Sequence, residues 1–415
     1  MPRARIVGVA ELYALENTVQ HYDWGSTTRL HDLLGTPPDG RPAAELWLGA
    51  HPSAPSRVAG PSARAGTSLL DLVRDDPDAM LGRRVADEFG PRLPYLLKVL
   101  AAERALSLQV HPKPHLARAG FNRENRLGIA PGSPRRSFHD DQHKPELVVA
   151  LTEFDGLAGF RSTRTVLDLL DGLDGTLVGA VRERLLRDRS AVGVRDAFSH
   201  LVAARHDAGA RDDLATTVAS VRARLADGSP STRADATVLR LAAEHPGDPG
   251  AIASLMLHRV TLDPGQALFL PAGEVHAYLS GLGVEVMASS DNVLRAGLTT
   301  KHVDEAALVE CASFVPRAPA SPDVRATGAR GQVQTFRVPV AEFALTLLDV
   351  EDGEVLDLPA AGPRTVLCLD GKVTLDAAAG SSSAPLARGG SLFAPHAAGP
   401  LRVSGDGHVV CAWVP

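Results

Sequence analysis

The spacing of apolar residues divides the chain into regions of different texture. From Pro2 to about Phe160, short apolar runs such as AELWLGA and KPELVVAL are separated by Gly, Pro and Asp clusters, which is typical of strands and turns. Between about Ser162 and His258, apolar residues recur every three or four positions, and this spacing predicts four to six helices. After Met256 the alternating strand pattern returns, and Asp263-Pro264-Gly265 predicts a turn between two of these strands. The helical region is therefore interpreted as an insertion into one β-rich unit.

The C-terminal part of the chain is a further β-rich region. A Pro- and Ala-rich passage near residues 314–331 predicts a linker, and short strands are expected from there to Pro415. We therefore expect a mainly β fold with an α-helical insertion. The predicted domains are a discontinuous catalytic domain of residues 1–161 and 255–320, a helical domain of residues 162–254, and a C-terminal domain of residues 321–415.

A weak internal repeat connects the two β-rich regions. The first copy has the spacing G-x5-P-x-G-x2-H and ends at His276. The second copy begins at Gly389, but Ala397 takes the place of the second Gly and Pro400 takes the place of the His. The C-terminal copy thus lacks the side chain that could bind a metal, and we assign the chemistry to the first copy.

The spacing around His276 matches the second sequence signature of cupin barrels. Gly265 and Gly273 permit positive φ, and Pro271 ends the preceding strand, so that His276 can point from the next strand into a barrel interior. A lone His is more often satisfied by a backbone carbonyl. The surrounding pattern reverses that preference and indicates a ligand.

Three further side chains could complete a metal site with His276. Gln109 and His111 are two residues apart on a predicted strand, so they project from the same face. Glu146 opens another predicted strand after one turn-rich segment. Two histidines, a carboxylate and an amide oxygen suit Zn²⁺, and other divalent ions are possible. Singly, Gln109 would be a surface amide and Glu146 a solvated strand end, so the prediction depends on the combination.

The sequence resembles the type I mannose-6-phosphate isomerases over essentially its whole length. The motifs that carry the resemblance are NTVQHYDWGS, ELWLGAHPSAPS, LPYLLKVLAAERALSLQVHPK, DDQHKPELVVAL and LPAGEVHAYLSGLGVEVMASSDNVLRAGLTTKHVD. The resemblance implies two cupin-like jelly-roll barrels, the C-terminal one degenerate and without metal, and a helical domain. It implies a zinc-dependent isomerase of carbohydrate metabolism that interconverts mannose 6-phosphate and fructose 6-phosphate, with one Zn²⁺ per chain. The implied metal ligands are Gln109, His111, Glu146 and His276.

The resemblance also indicates catalytic candidates. It implies that the DNVLRAGLTTKH segment lines the site, which makes Arg295 the strongest catalytic candidate. The reaction moves a proton between C1 and C2 through an enediol-like intermediate, so it needs a base within hydrogen-bond reach. The sequence does not rank the candidates for that base, which are Glu285, Asp291, His143 and Lys144.

The substrate phosphate requires cationic or amide donors several ångströms from the metal, because the C6 end is far from the reacting carbons. If Arg295 binds the phosphate, its role near the enediolate weakens, because a single guanidinium does not serve both ends of the sugar, and the sequence does not decide between these roles. The pool of phosphate-binding candidates is Ser107, Lys113, Lys144, Arg295 and Lys301.

Composition restricts the partners of the chain. Its 415 residues carry a formal net charge of -6, which gives no global attraction to nucleic acid or to anionic membranes. Three widely spaced cysteines without a CxxC pair argue against a disulfide framework and a thiolate zinc site. No segment has the form of a signal peptide or could span a bilayer. We expect a cytoplasmic monomer that acts on a small sugar phosphate.

Two alternative functions use the same barrel. A non-haem iron oxygenase would leave metal positions for dioxygen, and Gln109 as an added ligand together with the Arg295 segment argues against it. A non-catalytic sugar-binding cupin would keep the shape without turnover, which the intact ligand set disfavours.

The arginine-rich run of residues 122–142 is interpreted as a surface loop rather than a nucleic-acid patch, because acidic residues are mixed into it and aromatic residues do not alternate with the arginines.

Overall fold

A computed structural model of the chain describes residues 11–207, 209–377 and 382–415. In chain order its strands are β1 (Tyr13–Glu16), β2 (Thr18–Gln20), β3 (Glu45–Gly49), β4 (Arg57–Val58), β5 (Tyr95–Ala102), β6 (Leu108–Val110), β7 (Glu146–Ala150), β8 (Phe154–Phe160), β9 (Leu257–Leu262), β10 (Ala267–Leu270), β11 (His276–Ala288), β12 (Leu294–Gly297), β13 (Asp323–Thr327), β14 (Val333–Arg337), β15 (Ala344–Val350), β16 (Val355–Asp357), β17 (Arg364–Ala377), β18 (Ser383–Ala387), β19 (Ser391–Ala394) and β20 (Leu401–Trp413). The helices are α1 (Arg29–Leu34), α2 (Leu69–Asp75), α3 (Pro77–Leu81), α4 (Arg83–Phe89), α5 (Pro114–Arg126), α6 (Thr163–Leu170), α7 (Thr176–Arg187), α8 (Ala191–Ala203), α9 (Ala210–Asp227), α10 (Thr232–Glu244), α11 (Gly250–Ala253) and α12 (Glu305–Cys311).

The chain divides into two compact units, and its strands form two large antiparallel sheets. The first unit comprises the described residues up to Ala101 with Val284–Ser289 and Pro322–Pro415, and the second comprises Ala102–Gly283 with Ser290–Ser321. One sheet has the strand order β13-β14-β15-β20-β17-β19-β1-β4. Strand β11 has residues in both units. The other sheet has the order β11-β5-β3-β2 in the first unit and β10-β7-β11 in the second. In the second unit this sheet also contains β6, β8, β9 and β12.

The core of the first unit follows the period of two that a strand imposes. Val373, Leu375 and Ala377 of β17 are buried and alternate with more exposed neighbours. They lie in one apolar cluster with Leu401 and Val403 of β20, the strand that pairs with β17. The alternation therefore directs one face of β17 into this core.

Six α-helices, α6–α11, lie between β8 and β9, so the expectation of four to six helices is confirmed in the described residues. In α10 the buried residues Ala234, Val238 and Leu241 recur at helical spacing and form one face. Ser231 caps this helix, because its side chain accepts a hydrogen bond from the N–H of Ala234. The predicted domain boundaries around this helical region stay a prediction.

The turn predicted between two alternating strands is confirmed. β9 ends at Leu262 and β10 begins at Ala267. Between them the N–H of Gln266 donates to the carbonyl of Asp263 at 2.9 Å, and Gly265 has a φ of 84°. A glycine tolerates this φ without steric cost, so the local turn chemistry determines where β10 starts.

Both copies of the internal repeat form a strand at the same place. β10 lies between Gly265 and Pro271, and β19 lies between Gly389 and Pro395. After β10 the chain turns into the long strand β11, whereas after β19 it forms a 3₁₀ helix, His396–Ala398. The two copies therefore diverge where the first copy carries its candidate ligand.

In the described part of the N-terminal region, five helices, α1–α5, interrupt the strands, and the spacing did not predict them. Helix α5 includes the start of the arginine-rich run. Within that run, Arg136 is buried and donates hydrogen bonds to Asn125 Oδ1, to the carbonyl of Ile129 and to the carbonyl of Phe138. The interpretation of this run as a surface loop is therefore wrong for Arg136, whose guanidinium organises the backbone around it.

The three cysteines are buried and free. Burial raises the pKa of Cys311 and of Cys411 to about 12, and that of Cys368 to about 11. Thiols with such pKa values stay protonated near neutral pH, which makes them poor metal ligands. Among the described residues, no helix has the length and apolarity that crossing a membrane requires.

Candidate metal centre

Three side chains of the second unit converge within 4.8 Å of one another: His111, Glu146 and His276. Each of them is at most 2% exposed. Glu146 Oε1 lies 3.2 Å from His111 Nε2, and Glu146 Oε2 lies 3.3 Å from His276 Nε2. The structure thus brings together three side chains that the sequence predicted as ligands.

Strand pairing positions these groups. His276 opens β11 and stands opposite Gln109 of β6 in the register. His111 follows β6 directly, and Glu146 opens β7. The turn before β11 is tied to the same place, because the N–H of Gly273 donates to the carbonyl of His111 at 2.8 Å. Residues from distant parts of the sequence therefore meet through backbone hydrogen bonds.

Both imidazole rings have the same tautomer. His111 Nδ1 lies 2.6 Å from the carbonyl oxygen of Asn292, and His276 Nδ1 lies 2.9 Å from the carbonyl oxygen of Glu274. A carbonyl only accepts hydrogen bonds, so Nδ1 carries the proton in each ring. In the neutral rings, both Nε2 atoms then present lone pairs towards Glu146.

An ionised carboxylate and buried atoms without partners suit this cluster to a bound cation. Burial lowers the pKa of His111 to about 4, so the ring is neutral at neutral pH. Burial alone would raise the pKa of Glu146, but the Lys144 ammonium, 3.0 Å from Oε1, and His111 hold it well below its ordinary value. Nε2 of His111 and Oε2 of Glu146 are buried without a hydrogen-bond partner. Such atoms need a partner, and two imidazole nitrogens with a carboxylate suit Zn²⁺.

Gln109 and Arg295 extend this cluster along the sheet. Nε2 of Gln109 lies 3.2 Å from Nε2 of His276, and since the ring proton is on Nδ1, the amide donates to the ring. In the register, Arg295 of β12 stands opposite Gln109, which stands opposite His276. Directly paired residues project from the same face of a sheet. The three side chains therefore form one row on one face.

The remaining candidates of the second unit lie around this row. Lys144 is buried against Glu146. Lys113 is exposed, and its Cε lies 3.2 Å from the position that a Cβ on Gly273 would occupy. Lys301 is exposed on the segment after β12. The half-buried residues Ser107, His143 and Asp291 lie on loops of this unit, and their functional roles stay predictions.

Glu285 belongs to the first unit, where it is buried in a cluster of charges. Its Oε2 lies 3.5 Å from Lys98 Nζ, which is also 3.5 Å from Glu45 Oε2. The indole N–H of Trp47 donates to that same oxygen of Glu45 at 2.6 Å. Lys98 was not predicted from the sequence as a functional residue, and the catalytic role of Glu285 stays a prediction.

Sequence reasoning missed the residues that orient the two rings. Glu274 and Asn292 supply main-chain carbonyls, and Asp140 accepts hydrogen bonds from the segment that contains Asn292. A Ser-Asp-Asn run between two strands does indicate a hydrogen-bonded turn. Nothing local in that run indicates which ring its carbonyl would contact.

Comparisons with known proteins show which family the chain resembles. The family model for the catalytic domain of type I phosphomannose isomerase matches residues 12–163. The chain is 37% identical over 397 residues to mannose-6-phosphate isomerase of Shigella flexneri, and to that of Escherichia coli (strain K12), covering 95% of this chain and 97% of each relative. A crystal structure of zinc-bound mannose 6-phosphate isomerase superposes with a TM-score of 0.86 at 34% identity, covering 97% of this chain and 99% of that chain.

Proposed function

The chain belongs to the type I mannose-6-phosphate isomerases, and on that premise we propose that it interconverts mannose 6-phosphate and fructose 6-phosphate at a zinc centre held by His111, Glu146 and His276. The observation that carries the proposal is the meeting of two imidazole lone pairs with a carboxylate in a buried site. Gln109 would be a further ligand through Oε1, which requires its amide to turn from the orientation that donates to His276.

Bound Zn²⁺ supplies a Lewis acid that lowers the cost of negative charge on a substrate oxygen. The guanidinium of Arg295 lies on the same face as Gln109 and His276, so we assign it to the enediolate oxygen. Lys144 holds Glu146 ionised, and its ammonium is thereby engaged close to the ligands. The base is drawn from Glu285, Asp291, His143 and Lys144.

The phosphate is assigned to the exposed lysines, with Ser107 as a further donor. C6 is four bonds from C2, so the phosphate must lie away from the reacting carbons. Lys113, beside the turn before β11, and Lys301, after β12, are exposed cations on segments that flank the ligand strands. Lys144 fits this role less well because it contacts Glu146.

The finer architecture is part of the same proposal. We propose that residues 1–161 and 255–320 form a metal-binding cupin barrel, that residues 162–254 form the helical domain, and that residues 321–415 form a degenerate cupin barrel. The equivalent places of β10 and β19 in the repeat support two related barrels. A monomeric state and a cytoplasmic location remain predictions from the sequence.

The direct test combines metal analysis with activity. Purified protein should contain about one zinc per chain, and a chelator should abolish isomerisation of mannose 6-phosphate in a coupled assay, with recovery on adding zinc. Protein without bound metal that still turns over substrate would overturn the metal centre. Oxygen consumption in place of isomerisation would instead favour a non-haem iron oxygenase.

A further inference from the structure

Two loops of the second unit are joined by a reciprocal set of hydrogen bonds, which we name the Asp140–Asn292 clasp. It comprises residues 139–142, before β7, and residues 290–292, before β12. Asp140 Oδ2 accepts from the N–H of Asp291 at 2.8 Å. Its Oδ1 accepts from Ser290 Oγ at 2.9 Å and from Asn292 Nδ2 at 3.1 Å. One carboxylate thus collects three donors of the other loop.

Asn292 completes the clasp in the opposite direction. Its Oδ1 accepts from the N–H of His139 at 2.7 Å and of Asp140 at 3.2 Å. Its Nδ2 also donates to the carbonyls of Asp140 and Gln142, both at 2.8 Å. Asn292 has no exposed surface, so its side chain is held on every side. The position of its own main chain is therefore determined by these contacts.

The main-chain carbonyl of Asn292 is the group that meets His111, with Nδ1 at 2.6 Å. We propose that Asp140 is a positioning residue of the metal centre, which holds Asn292 so that this carbonyl orients the ring of His111 and keeps the proton on Nδ1. The inference rests on the proposed function, because orientation matters only if Nε2 binds a metal. Groups that orient a ligating imidazole typically change metal affinity by about 10–100-fold when they are lost.

The clasp also connects the two loops that carry the other functional groups. Residues 139–142 lead directly into Lys144 and Glu146, and residues 290–292 lead directly into Arg295. Loss of the carboxylate at position 140 weakens its contacts to Ser290 Oγ, to the N–H of Asp291 and to Nδ2 of Asn292, so that the side chain of Asn292 is held only by the main chain of residues 139–142. A single substitution there should therefore loosen His111 without touching any ligand.

Asp140→Asn tests this role, and Asp141→Asn is the matched control. Both remove one carboxylate from the same loop, but the side chain of Asp141 contacts the amide of Gln142 rather than the 290–292 loop. We expect the dissociation constant for Zn²⁺, measured by competition with a chromogenic chelator, to rise about 10–100-fold in Asp140→Asn and to change less than about twofold in Asp141→Asn. Excess zinc should restore much of the isomerase activity of Asp140→Asn.

A second readout needs no metal. In the metal-free protein, ¹⁵N chemical shifts of His111 should report a protonated Nδ1 in wild type and in Asp141→Asn, and a mixture of tautomers in Asp140→Asn. Unchanged zinc affinity with unchanged His111 shifts in a folded Asp140→Asn would overturn the inference.

If that variant does not fold, Ser290→Ala, which removes one donor to Asp140, must weaken zinc binding several-fold, and an unchanged affinity would overturn the inference equally. Failure of wild type to bind zinc would instead refute the proposed function, while the tautomer measurement would still decide the role of Asp140.

Discussion

At the scale of single residues, the two histidines of the metal centre reach the same tautomer by different routes. His276 is held by the carbonyl of Glu274, two residues earlier in its own turn. His111 is held by the carbonyl of Asn292, which is far away in the sequence. The chain therefore builds one ligand locally and the other through tertiary structure. Arg295 differs from both, since strand pairing places it opposite Gln109 on the same face, and we assign it to the substrate rather than to the metal.

Substitution of a ligand and of its neighbour should separate metal binding from turnover. His276→Ala removes one of two imidazole ligands, so zinc affinity should fall at least about 100-fold and activity should disappear with it. Arg295→Ala should keep about one zinc per chain and lose about 10²–10³-fold in kcat/KM, mostly in kcat. Zinc content by mass spectrometry and steady-state kinetics measure the two effects. His408 is an exposed residue of the first unit, and His408→Ala is the control. Equal zinc loss in His276→Ala and Arg295→Ala would contradict the division of roles.

The metal-free protein should lose stability as the pH falls from about 6.5 towards 4. Burial lowers the pKa of His111 to about 4 in the folded state, below the unfolded value near 6.5, so the unfolded state binds more protons in this window. The effect of this group should reach roughly 2–3 kcal/mol by pH 4.5. Urea unfolding of chelator-treated protein at pH 7.5 and pH 4.5 measures it. His111→Gln should remove that part of the pH dependence. If the free energy of unfolding falls equally between pH 7.5 and pH 4.5 in both proteins, His111 does not contribute.

At the scale of secondary structure, the turn before β10 proved more predictable than the short helices of the N-terminal region. The Asp263-Pro264-Gly265 turn was predicted because its chemistry is local: a positive φ at Gly265 requires little else. Helices α2–α4 were missed because each has only five to seven residues, too short for an apolar period to stand out from strand-like runs. The buried position of Arg136 was not predictable, because it depends on carbonyls that loop folding brings together.

The turn that leads into β11 should be sensitive to an added methyl group. Gly273 has a φ of 93°, and a Cβ there would lie 3.3 Å from the carbonyl oxygen of Cys311 and 3.2 Å from Cε of Lys113. Gly273→Ala should therefore cost about 1–3 kcal/mol of unfolding free energy and weaken zinc binding, because the same residue donates to the carbonyl of His111. Gly132→Ala, in open space and without a positive φ, is the control. Thermal unfolding and zinc titration that do not distinguish the two variants would refute this account of the turn.

At the scale of the whole molecule, the predictability of the site has a clear limit. The spacing of residues 265–276 indicates one ligand, and the alternation on β6 places Gln109 and His111 on one face. That Glu146 meets them depends on pairing between strands separated by the complete helical region, which no local pattern encodes. The resemblance to a known family supplied that step. The clasp around Asn292 was not predicted, since it consists of tertiary contacts between two loops.

Zinc should stabilise the second unit by joining three distant segments. The proposed ligands follow β6, open β7 and open β11, so a metal held by them should bind tightly only when these strands are assembled. The stabilisation should grow by about 1.4 kcal/mol for each tenfold rise in free zinc above the dissociation constant. Hydrogen exchange measured with and without zinc should show increased protection in β6, β7 and β11, while β15 and β20 of the first unit serve as the internal reference. His276→Ala should abolish the zinc-dependent protection, and a wild-type protein whose β6, β7 and β11 exchange equally fast with and without zinc would show that the ion does not bind where these three strands begin and end.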